Sequence, residues 1–449
     1  MFKFFCGASL IILSACSTVQ GPVPQLSSEL GYTQAVRDRY QADEKWWQFY
    51  DNAELNRLIE TALKNNPDYL KAALNINKEL YNLNLATADL FPTLSGKLNA
   101  TSQRDIHTGD DFNSNFSGEL GLSYEADLYG KIRDIRTAQA FEYNATVMDR
   151  EAARLSLINS VIDLYFNLEY LQNSIDLTKD NIRAYEDIQQ ITGQKYRSGK
   201  TDNVEYLQSK QSLLSEKNKL LNLETQFKEM ETSLKNILNV KNGEVLPQRY
   251  GNILKQKSQK PDMEVPLSVL ANRPDLKASQ YRLEKSFKEL AAENKKWYPT
   301  VSLNGALGSA SDKARTTFDF SYVFGSVSVD LPFLDWNRVK NNIKISETEY
   351  QIALVDFKDT LNQALNEVAY YYFAYQKAAD IYANVNENYR NSVQITRYYR
   401  NRYNYGKAEF KDFLEAMNTE NSLRKDLVEQ KYQMIKYENY IYKAMAGRY

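Results

Sequence analysis

Histidine and cysteine are nearly absent from this sequence, which has one His and two Cys in 449 residues. This scarcity argues against most zinc sites, cysteine–histidine nucleophiles and disulfide frameworks. His107 lies in a predicted polar loop near three aspartates, Asp105, Asp110 and Asp111, but a single His in such a loop is more often exposed than metal-bound. No glycine-rich phosphate loop or serine elbow occurs. The composition therefore argues against an enzyme, and we expect no metal and no cofactor.

Long apolar runs are also missing. Beyond the N-terminal segment no run of about 18 apolar residues occurs, and the mean hydropathy is −0.58. The sequence therefore predicts no transmembrane helix. It leaves a membrane β-barrel open, because only alternate residues of such strands are apolar. The formal net charge of −1 gives no electrostatic case for nucleic acid.

The N-terminus has the pattern of a secretory signal. A basic residue, Lys3, precedes the apolar run 4–13, and the small residues Ser14 and Ala15 stand before Cys16. The ending Leu-Ser-Ala-Cys resembles a bacterial lipobox, in which Cys16 would be acylated, for example with palmitate, and become the mature N-terminus. Ser17 then favours the outer membrane. The alternative is an ordinary signal peptide with an incidental cysteine.

One long stretch of the chain occurs twice. Residues 91–95 (FPTLS) return as residues 298–302 (YPTVS), so that Pro92 recurs as Pro299, a shift of 299 − 92 = 207 residues. The same shift relates 66–68 to 273–275, Lys131 to Arg338, and 195–199 to 402–406. Four matches at one offset predict two tandem copies of one structural unit.

Each copy begins with a pair of predicted strands. Apolar and polar residues alternate in 94–101 and 116–124, and again in 301–307 and 327–331. This period of two is typical of strands with one apolar face, at a length that suits tilted membrane strands. The aromatic residues of 318–324 alternate in the opposite phase, from which we expect a bulge or a loop ending near Gly325. The sequence therefore predicts β-hairpins at about 92–127 and 299–333, which make four strands per chain.

Very long helices follow each hairpin. From Ile132 to Tyr196 the chain has no Pro and no Gly except Gly193, which predicts one helix close to 100 Å long. Gly199 ends it, and a return helix is predicted from about 203 to 240. The second copy repeats this with a helix from 338 to 403, a turn at Gly406 and a return helix over 410–446. Helices of this length favour coiled-coil or helical-barrel packing.

These patterns divide the chain into five parts. They are the signal peptide (1–15), a tether expected to be extended and lipid-anchored (16–45), the first repeat (46–240), a linker broken by Gly and Pro (241–266) and the second repeat (267–449).

The ordered set of motifs resembles the outer membrane factor, or TolC, family, and specifically its lipoprotein branch of efflux-pump outer membrane channels. The motifs are the lipobox at Cys16, the segment 46–55 (WWQFYDNAEL), the strand starts 91–92 and 298–299, the segment 127–131 (DLYGK) and the two Tyr-x-x-Gly tips ending at Gly199 and Gly406. Each motif alone is weak, but their order and spacing cover nearly the whole mature chain.

The resemblance implies an α+β membrane protein that forms a homotrimer. Four strands per chain would close a twelve-stranded transmembrane β-barrel, continued by a long periplasmic α-helical barrel with the linker in its equatorial region. Such a channel would sit in the outer membrane, lipid-anchored and extending into the periplasm. It would conduct drugs and other small molecules from a resistance-nodulation-division (RND) type inner-membrane pump and a periplasmic adaptor, as in multidrug resistance. The residues alone require closure between chains, since exposed sheet edges are not satisfied by lipid.

The resemblance also implies a periplasmic gate near the helical-hairpin tips. Asp412 and Glu415 match acidic residues that project into the narrowed tunnel, Tyr403 matches a tyrosine that helps to hold the closed state, and Glu205 matches its acidic partner on the first hairpin. The pattern departs at Ala408, where a basic residue is expected, so that closing salt bridge lacks its partner. The alternative for the carboxylates is a solvated helix face, and for Tyr403 it is packing in a helix seam.

Two alternatives for the function stay open at this stage. The first keeps the channel but makes it the outlet of a type I protein secretion system. The second is a non-conducting structural coiled-coil lipoprotein of the periplasm, which would explain the lipobox and the long helices but not the strands of period two.

Overall fold

The computed structural model of the protein describes residues 23–41, 43, 45–107, 111–240, 246, 250–258, 260–262 and 264–447. The predicted signal peptide and the predicted lipidation site, Cys16, lie outside the described residues. The helices of the described chain are α1 (Leu26–Glu29), α2 (Gln34–Arg39), α3 (Ala53–Asn65), α4 (Pro67–Ala88), α5 (Lys131–Arg197), α6 (Asn203–Leu238), α7 (Pro274–Asn294), α8 (Trp336–Asn404) and α9 (Phe410–Ala444). The strands are β1 (Thr93–Gln103), β2 (Asn113–Ala126), β3 (Thr300–Ser311) and β4 (Tyr322–Asp330).

The long helices begin and end close to the predicted residues. α5 has 67 residues and α8 has 69, and neither contains a proline, so the backbone hydrogen bonds continue without a break. Pro67 and Pro274 occupy the first turns of α4 and α7, where a missing N–H is tolerated. Among the described helices, none combines the length and apolar character needed to cross a membrane.

The tether was expected to be extended, and this is wrong for the part that is described. Residues 26–39 form the short helices α1 and α2, and Leu26 is buried. Thr33 caps α2 by accepting a hydrogen bond from the Val36 amide at 3.4 Å, and the Tyr32 hydroxyl accepts one from Asn272 at 2.9 Å. The sequence did not predict these helices because they have only 4 and 6 residues, too few to show a helical period of apolar residues.

The described residues form two compact units. The sheet unit takes them from Met1–Gln25, Glu79–Tyr143 and Ser279–Phe357, and the bundle unit takes them from Leu26–Lys78, Asn144–Ala278 and Lys358–Tyr449. Both repeats contribute to each unit.

In the sheet unit, the four strands form one antiparallel sheet in the order β1-β2-β3-β4. The register is continuous in all three ladders. The bulge expected near Gly325 is absent from the described ladder, because Gly325 pairs directly with Gly305, and the preceding loop already ends at Ser321. Tyr322 and Phe324 therefore lie on the polar face of the sheet, where the Tyr322 ring packs over Gly308.

In the bundle unit, the core forms around aromatic residues at the start of the first repeat. Trp46 packs against Tyr442 with ring centroids 5.4 Å apart, and Tyr50 packs against Phe166 at 4.9 Å. Buried Leu and Ile side chains of α3 and α5 complete this cluster. Burial of large apolar side chains supplies the main stabilisation of such a bundle.

One contact in the bundle unit shows the internal repeat at the level of single atoms. The Asn66 amide donates a hydrogen bond to the Ile237 carbonyl at 2.9 Å. At the equivalent positions of the second copy, the Arg273 guanidinium donates to the Ala444 carbonyl at 3.1 Å. In the first copy the contact joins the start of α4 to the end of α6, and in the second copy it joins the start of α7 to the end of α9.

The described part of the linker is held by buried glutamates. Gln256 donates to both carboxylate oxygens of Glu169 on α5, at 2.9 and 3.2 Å. Ser258 donates to Glu438 on α9 at 2.9 Å, and Asn173 accepts from the Ile253 amide at 3.0 Å. Side chains from two different helices therefore fix the path of the linker.

Candidate functional site

The two helical hairpins of the bundle unit end in turns of the same geometry. Gly199 has φ +70° and Gly406 has φ +68°. At the first tip the Lys200 amide donates to the Lys195 carbonyl at 2.9 Å, and at the second the Lys407 amide donates to the Arg402 carbonyl at 2.8 Å. In each of these hydrogen bonds the amide lies five positions after the carbonyl, which is the pattern of a Schellman helix end. A Cβ at either glycine would meet no atom within 4 Å, so the positive φ, and not a lack of space, favours glycine.

The same aromatic pair closes both tips. In the first copy the rings of Tyr196 and Tyr206 stack with centroids 6.2 Å apart. In the second copy the equivalent rings, Tyr403 and Phe413, stack at 5.8 Å. Phe413 belongs to a buried cluster with Tyr185, and Tyr403 packs against its edge. Each pair fixes the last turn of the long helix against the first turn of the return helix.

Tyr403 also joins the two tips to each other. Its hydroxyl accepts a hydrogen bond from Lys195 Nζ at 2.8 Å, and the same ammonium lies 4.3 Å from the centre of the Tyr403 ring. Cation–π and hydrogen-bond attraction thus act on one side chain. Sequence reasoning did not assign Lys195 a role. The repeat did offer a signal, since the shift of 207 residues places another basic residue, Arg402, at the equivalent position of the second copy.

The predicted gate carboxylates lie at the starts of the return helices. Glu205 and Asp412 occupy equivalent positions in the first turns of α6 and α9, where the helix dipole favours negative charge. Glu415 follows one turn later, with its side chain 65% exposed and 3.8 Å from Lys411 Nζ. Asp412 and Glu415 are three residues apart and so share one face of α9.

The structure brings together some of the predicted gate residues and not others. Tyr403 is hydrogen-bonded to Lys195, while in the described part of the chain Glu205 makes no hydrogen bond or ion pair with Tyr403. Asp202 caps α6 through the Val204 and Glu205 amides, at 3.0 and 3.2 Å, but its counterpart Glu409 makes no such side-chain bond to α9. The start of α9 therefore lacks a side-chain cap and is held by the buried side chains of Phe410 and Phe413.

A buried ion pair lies further along the same helices. The Glu216 carboxylate on α6 is 5% exposed and accepts hydrogen bonds from Lys425 on α9 and, at 3.1 Å, from Asn181 on α5. Burial alone would raise the pKa of Glu216, but the bonds from Lys425 and Asn181 outweigh it and hold the pKa below its ordinary value. Lys219, on the same helix, adds a second ammonium 3.1 Å from the other carboxylate oxygen, so that Glu216 is paired both within the first hairpin and, through Lys425, with the second.

The described residues hold no cluster of His, Cys, Asp and Glu suited to a metal ion. Four strands in one sheet, two pairs of very long helices and two tips of one geometry define the fold of a TolC-like outer membrane channel. The profile of the family "Outer membrane efflux protein" matches residues 58–240 and 265–447, once in each copy. The chain therefore belongs to the outer membrane efflux protein family.

Individual relatives agree over almost the whole chain. "Toxin and drug export protein A" of Aggregatibacter actinomycetemcomitans is 38% identical over 414 residues, which are 92% of this chain and 91% of the relative. "Probable outer membrane lipoprotein SilC" of Salmonella typhimurium is 22% identical, over 99% of this chain and 98% of the relative. The crystal structure of the Campylobacter jejuni CmeC outer membrane channel superposes with a TM-score of 0.83 at 24% identity, over 91% of this chain and 89% of that one.

Family membership confirms the fold class and the general function predicted from the sequence. The chain is an outer membrane channel component of an efflux pump that extends into the periplasm, and it is not an enzyme. The family match carries no information on the roles of Cys16, Glu205, Tyr403, Asp412 and Glu415, which stay predictions.

Proposed function

We propose that this chain forms a homotrimeric outer membrane channel that conducts drugs and other small molecules. The observation that carries the proposal is the four-stranded sheet with an exposed apolar face. Leu94, Leu98, Val323 and Val327 lie on that face and are more than half exposed. In the described chain, β1 and β4 each pair on one side only. Since an open edge in lipid leaves backbone groups unsatisfied, copies of the chain must complete the barrel.

Three copies would close twelve strands, and the long helices of the bundle unit would line the periplasmic conduit. A passive channel of this kind needs an energy source elsewhere. We therefore infer that it works with a periplasmic adaptor and an RND-type inner-membrane pump. The name of the Aggregatibacter relative, which describes drug export, supports small-molecule cargo.

A lipid anchor at Cys16 belongs to the same proposal. The lipobox pattern supports it, and the Salmonella relative is named a probable lipoprotein. Acyl chains contribute about 0.8 kcal/mol for each buried CH2 group, so a fully acylated Cys16 would hold the N-terminus firmly at the membrane.

We further propose a gate at the hairpin tips. In a trimer, Asp412 and Glu415 would each form a ring of three carboxylates, which attracts cations and is costly to crowd together. Tyr403 would hold the closed state through Lys195, and Glu205 would supply a carboxylate on the first hairpin. Gly199 and Gly406 would allow the tight reversals that bring these residues together.

A second candidate function is the export of polypeptides. The Aggregatibacter relative is named for toxin as well as drug export, so the outlet of a type I protein secretion system remains the alternative.

The test is deletion of the gene in its host, followed by antibiotic, dye and bile-salt susceptibility. We expect hypersensitivity that wild-type protein restores, because cargo then regains its exit. Complementation with Cys16→Ala measures the contribution of the anchor, and we expect partial or no rescue. Unchanged susceptibility with altered proteins in the culture supernatant would contradict small-molecule efflux and favour polypeptide export.

A further inference from the structure

The loop between β3 and β4 folds back over the apolar face of the sheet. The Ser309 hydroxyl on that face donates a hydrogen bond to the Thr317 carbonyl, and Thr317 is buried. Gly118 lies beside Ser309 on β2, and a Cβ there would come within 2.8 Å of the Thr317 oxygen. The absence of a side chain at Gly118 therefore makes room for the loop backbone.

The apolar face changes character further along β1 and β2, since Ser309 and Gly118 lie level with Leu98 and the first polar residue of this face on β1 is Ser102. On β1 its residues are apolar or glycine from Leu94 to Ala100, about 20 Å along the strand, and are followed by Ser102. Ser102 and Ser114 hydrogen-bond to each other at 3.2 Å. On β3, Ser311 pairs with Phe116, level with Ala100. Ser311 is hydrogen-bonded to Thr316, and it also accepts from the Lys313 amide at 3.1 Å. Because hydroxyls facing hydrocarbon need partners, this row of serines marks where the lipid tails end.

Charged and aromatic side chains of the loop are left at that boundary. Lys313 and Arg315 are exposed, and in the described part of the chain neither takes part in an ion pair. Phe318, next to the buried Thr317, is 66% exposed. The neighbouring acidic residues Asp111 and Asp312 line a polar cavity of about 840 Å³. That cavity is bordered by polar-face residues such as Thr101 and Asn113, and also by Ser114 and Ser311 of the apolar face, so acidic as well as basic side chains lie at this end of the sheet.

We propose that the β3–β4 loop is a lipid-headgroup site, at which Lys313 and Arg315 bind phosphate groups of membrane lipid while Phe318 enters the acyl boundary. Basic side chains with an adjacent aromatic ring suit a phosphate-bearing interface better than apolar tails alone. The inference rests on the proposed function, because a closed barrel is what turns the apolar face towards lipid.

The experiment measures lipid retention by the detergent-solubilised full-length protein, using native mass spectrometry with phosphatidylglycerol and neutral phosphatidylcholine. We expect wild type to prefer phosphatidylglycerol, and Lys313→Gln with Arg315→Gln to reduce this preference about tenfold, since each basic residue contributes at such an interface. The matched control is Lys255→Gln with Lys260→Gln, two exposed lysines of the linker, which should retain the preference. Gly118→Ala should also weaken it, because the loop must shift although both cations remain.

Equal retention of both lipids by wild type, or an undiminished preference in the loop variant, would overturn the site. The site would also be overturned if inorganic phosphate abolished the lipid preference at an ionic strength at which chloride has no effect. The site would then bind a free anion and not a lipid headgroup. Conductance of the same preparations in planar bilayers reports separately on the channel. A conducting wild type without lipid preference would refute the headgroup site alone, whereas a non-conducting wild type would contradict the proposed function.

Discussion

At the scale of single residues, Glu169 is a fully buried ionisable group of the bundle unit. Its side chain is 0% exposed and its described partner is the Gln256 amide. Burial raises the pKa of Glu169 to about 7, and the hydrogen bond from Gln256 lowers it only in part. An acid whose pKa is raised on folding binds protons more tightly in the folded state. Its contribution to stability is therefore greatest below about pH 4.5 and is lost as the pH rises towards 7.

Glu169→Gln should for this reason stabilise the protein at high pH. Replacing the carboxylate with a neutral amide removes an unfavourable free energy on the order of 3 kcal/mol above pH 7, and almost none near pH 4.5. We expect the variant to melt at a higher temperature than wild type at pH 8 and at a similar temperature at pH 5. Thermal unfolding in detergent at both pH values measures this. The control, Glu60→Gln on an exposed face of α3, should show no such pH dependence, and a constant difference for Glu169→Gln would refute the assignment.

At the scale of secondary structure, the tips depend on backbone conformation. Gly406→Ala places a Cβ in open space but in a left-handed conformation, which costs about 1 kcal/mol or slightly more. Gly406→Asn should cost less, because asparagine tolerates this region. Hydrogen exchange at the end of α8 and the start of α9 measures both effects. Gly199→Ala should behave like Gly406→Ala, since the backbone geometry of the two tips is the same. If Gly406→Asn destabilises the tip as much as Gly406→Ala does, the loss of stability depends on side-chain volume and not on the positive φ.

The elements themselves could be predicted to within a few residues because their signals are local. α5 was expected from Ile132 to Tyr196 and extends from Lys131 to Arg197, since Gly199 marks its end. β4 was harder, because Phe324 has an apolar side chain yet lies on the polar face. The alternation of 318–324 in the opposite phase suggested a bulge or a loop ending near Gly325, whereas β4 already begins at Tyr322 and its register is continuous.

The side-chain pairings between the two helical hairpins could not be predicted from the sequence. Lys195 meets Tyr403 and Glu216 meets Lys425 across more than 200 positions of the chain. Such contacts depend on how two long hairpins are aligned, and a shift of one helical turn would replace every partner. Periodicity identifies which face of a helix is apolar, but it contains no information on this alignment.

At the scale of the whole molecule, the gate proposal predicts the behaviour of the assembled channel. Asp412→Ala with Glu415→Ala removes six carboxylates from a trimer, so we expect increased leak and several-fold weaker block by divalent cations. Single-channel recording in planar bilayers measures both. Glu420→Ala with Glu429→Ala makes the same charge change further along α9 and should leave the block intact. Unchanged conductance and cation sensitivity in the Asp412→Ala and Glu415→Ala double variant would contradict the proposal that these residues line the gate.

The paired contacts of Asn66 with Ile237 and of Arg273 with Ala444 have a consequence for protein engineering. The two halves of the chain offer a carbonyl acceptor at equivalent positions and reach it with different side chains. The geometry of the contact is the same in both halves, while its chemistry differs. Each half is therefore a template for redesigning the other, because an amide and a guanidinium both reach the same backbone position.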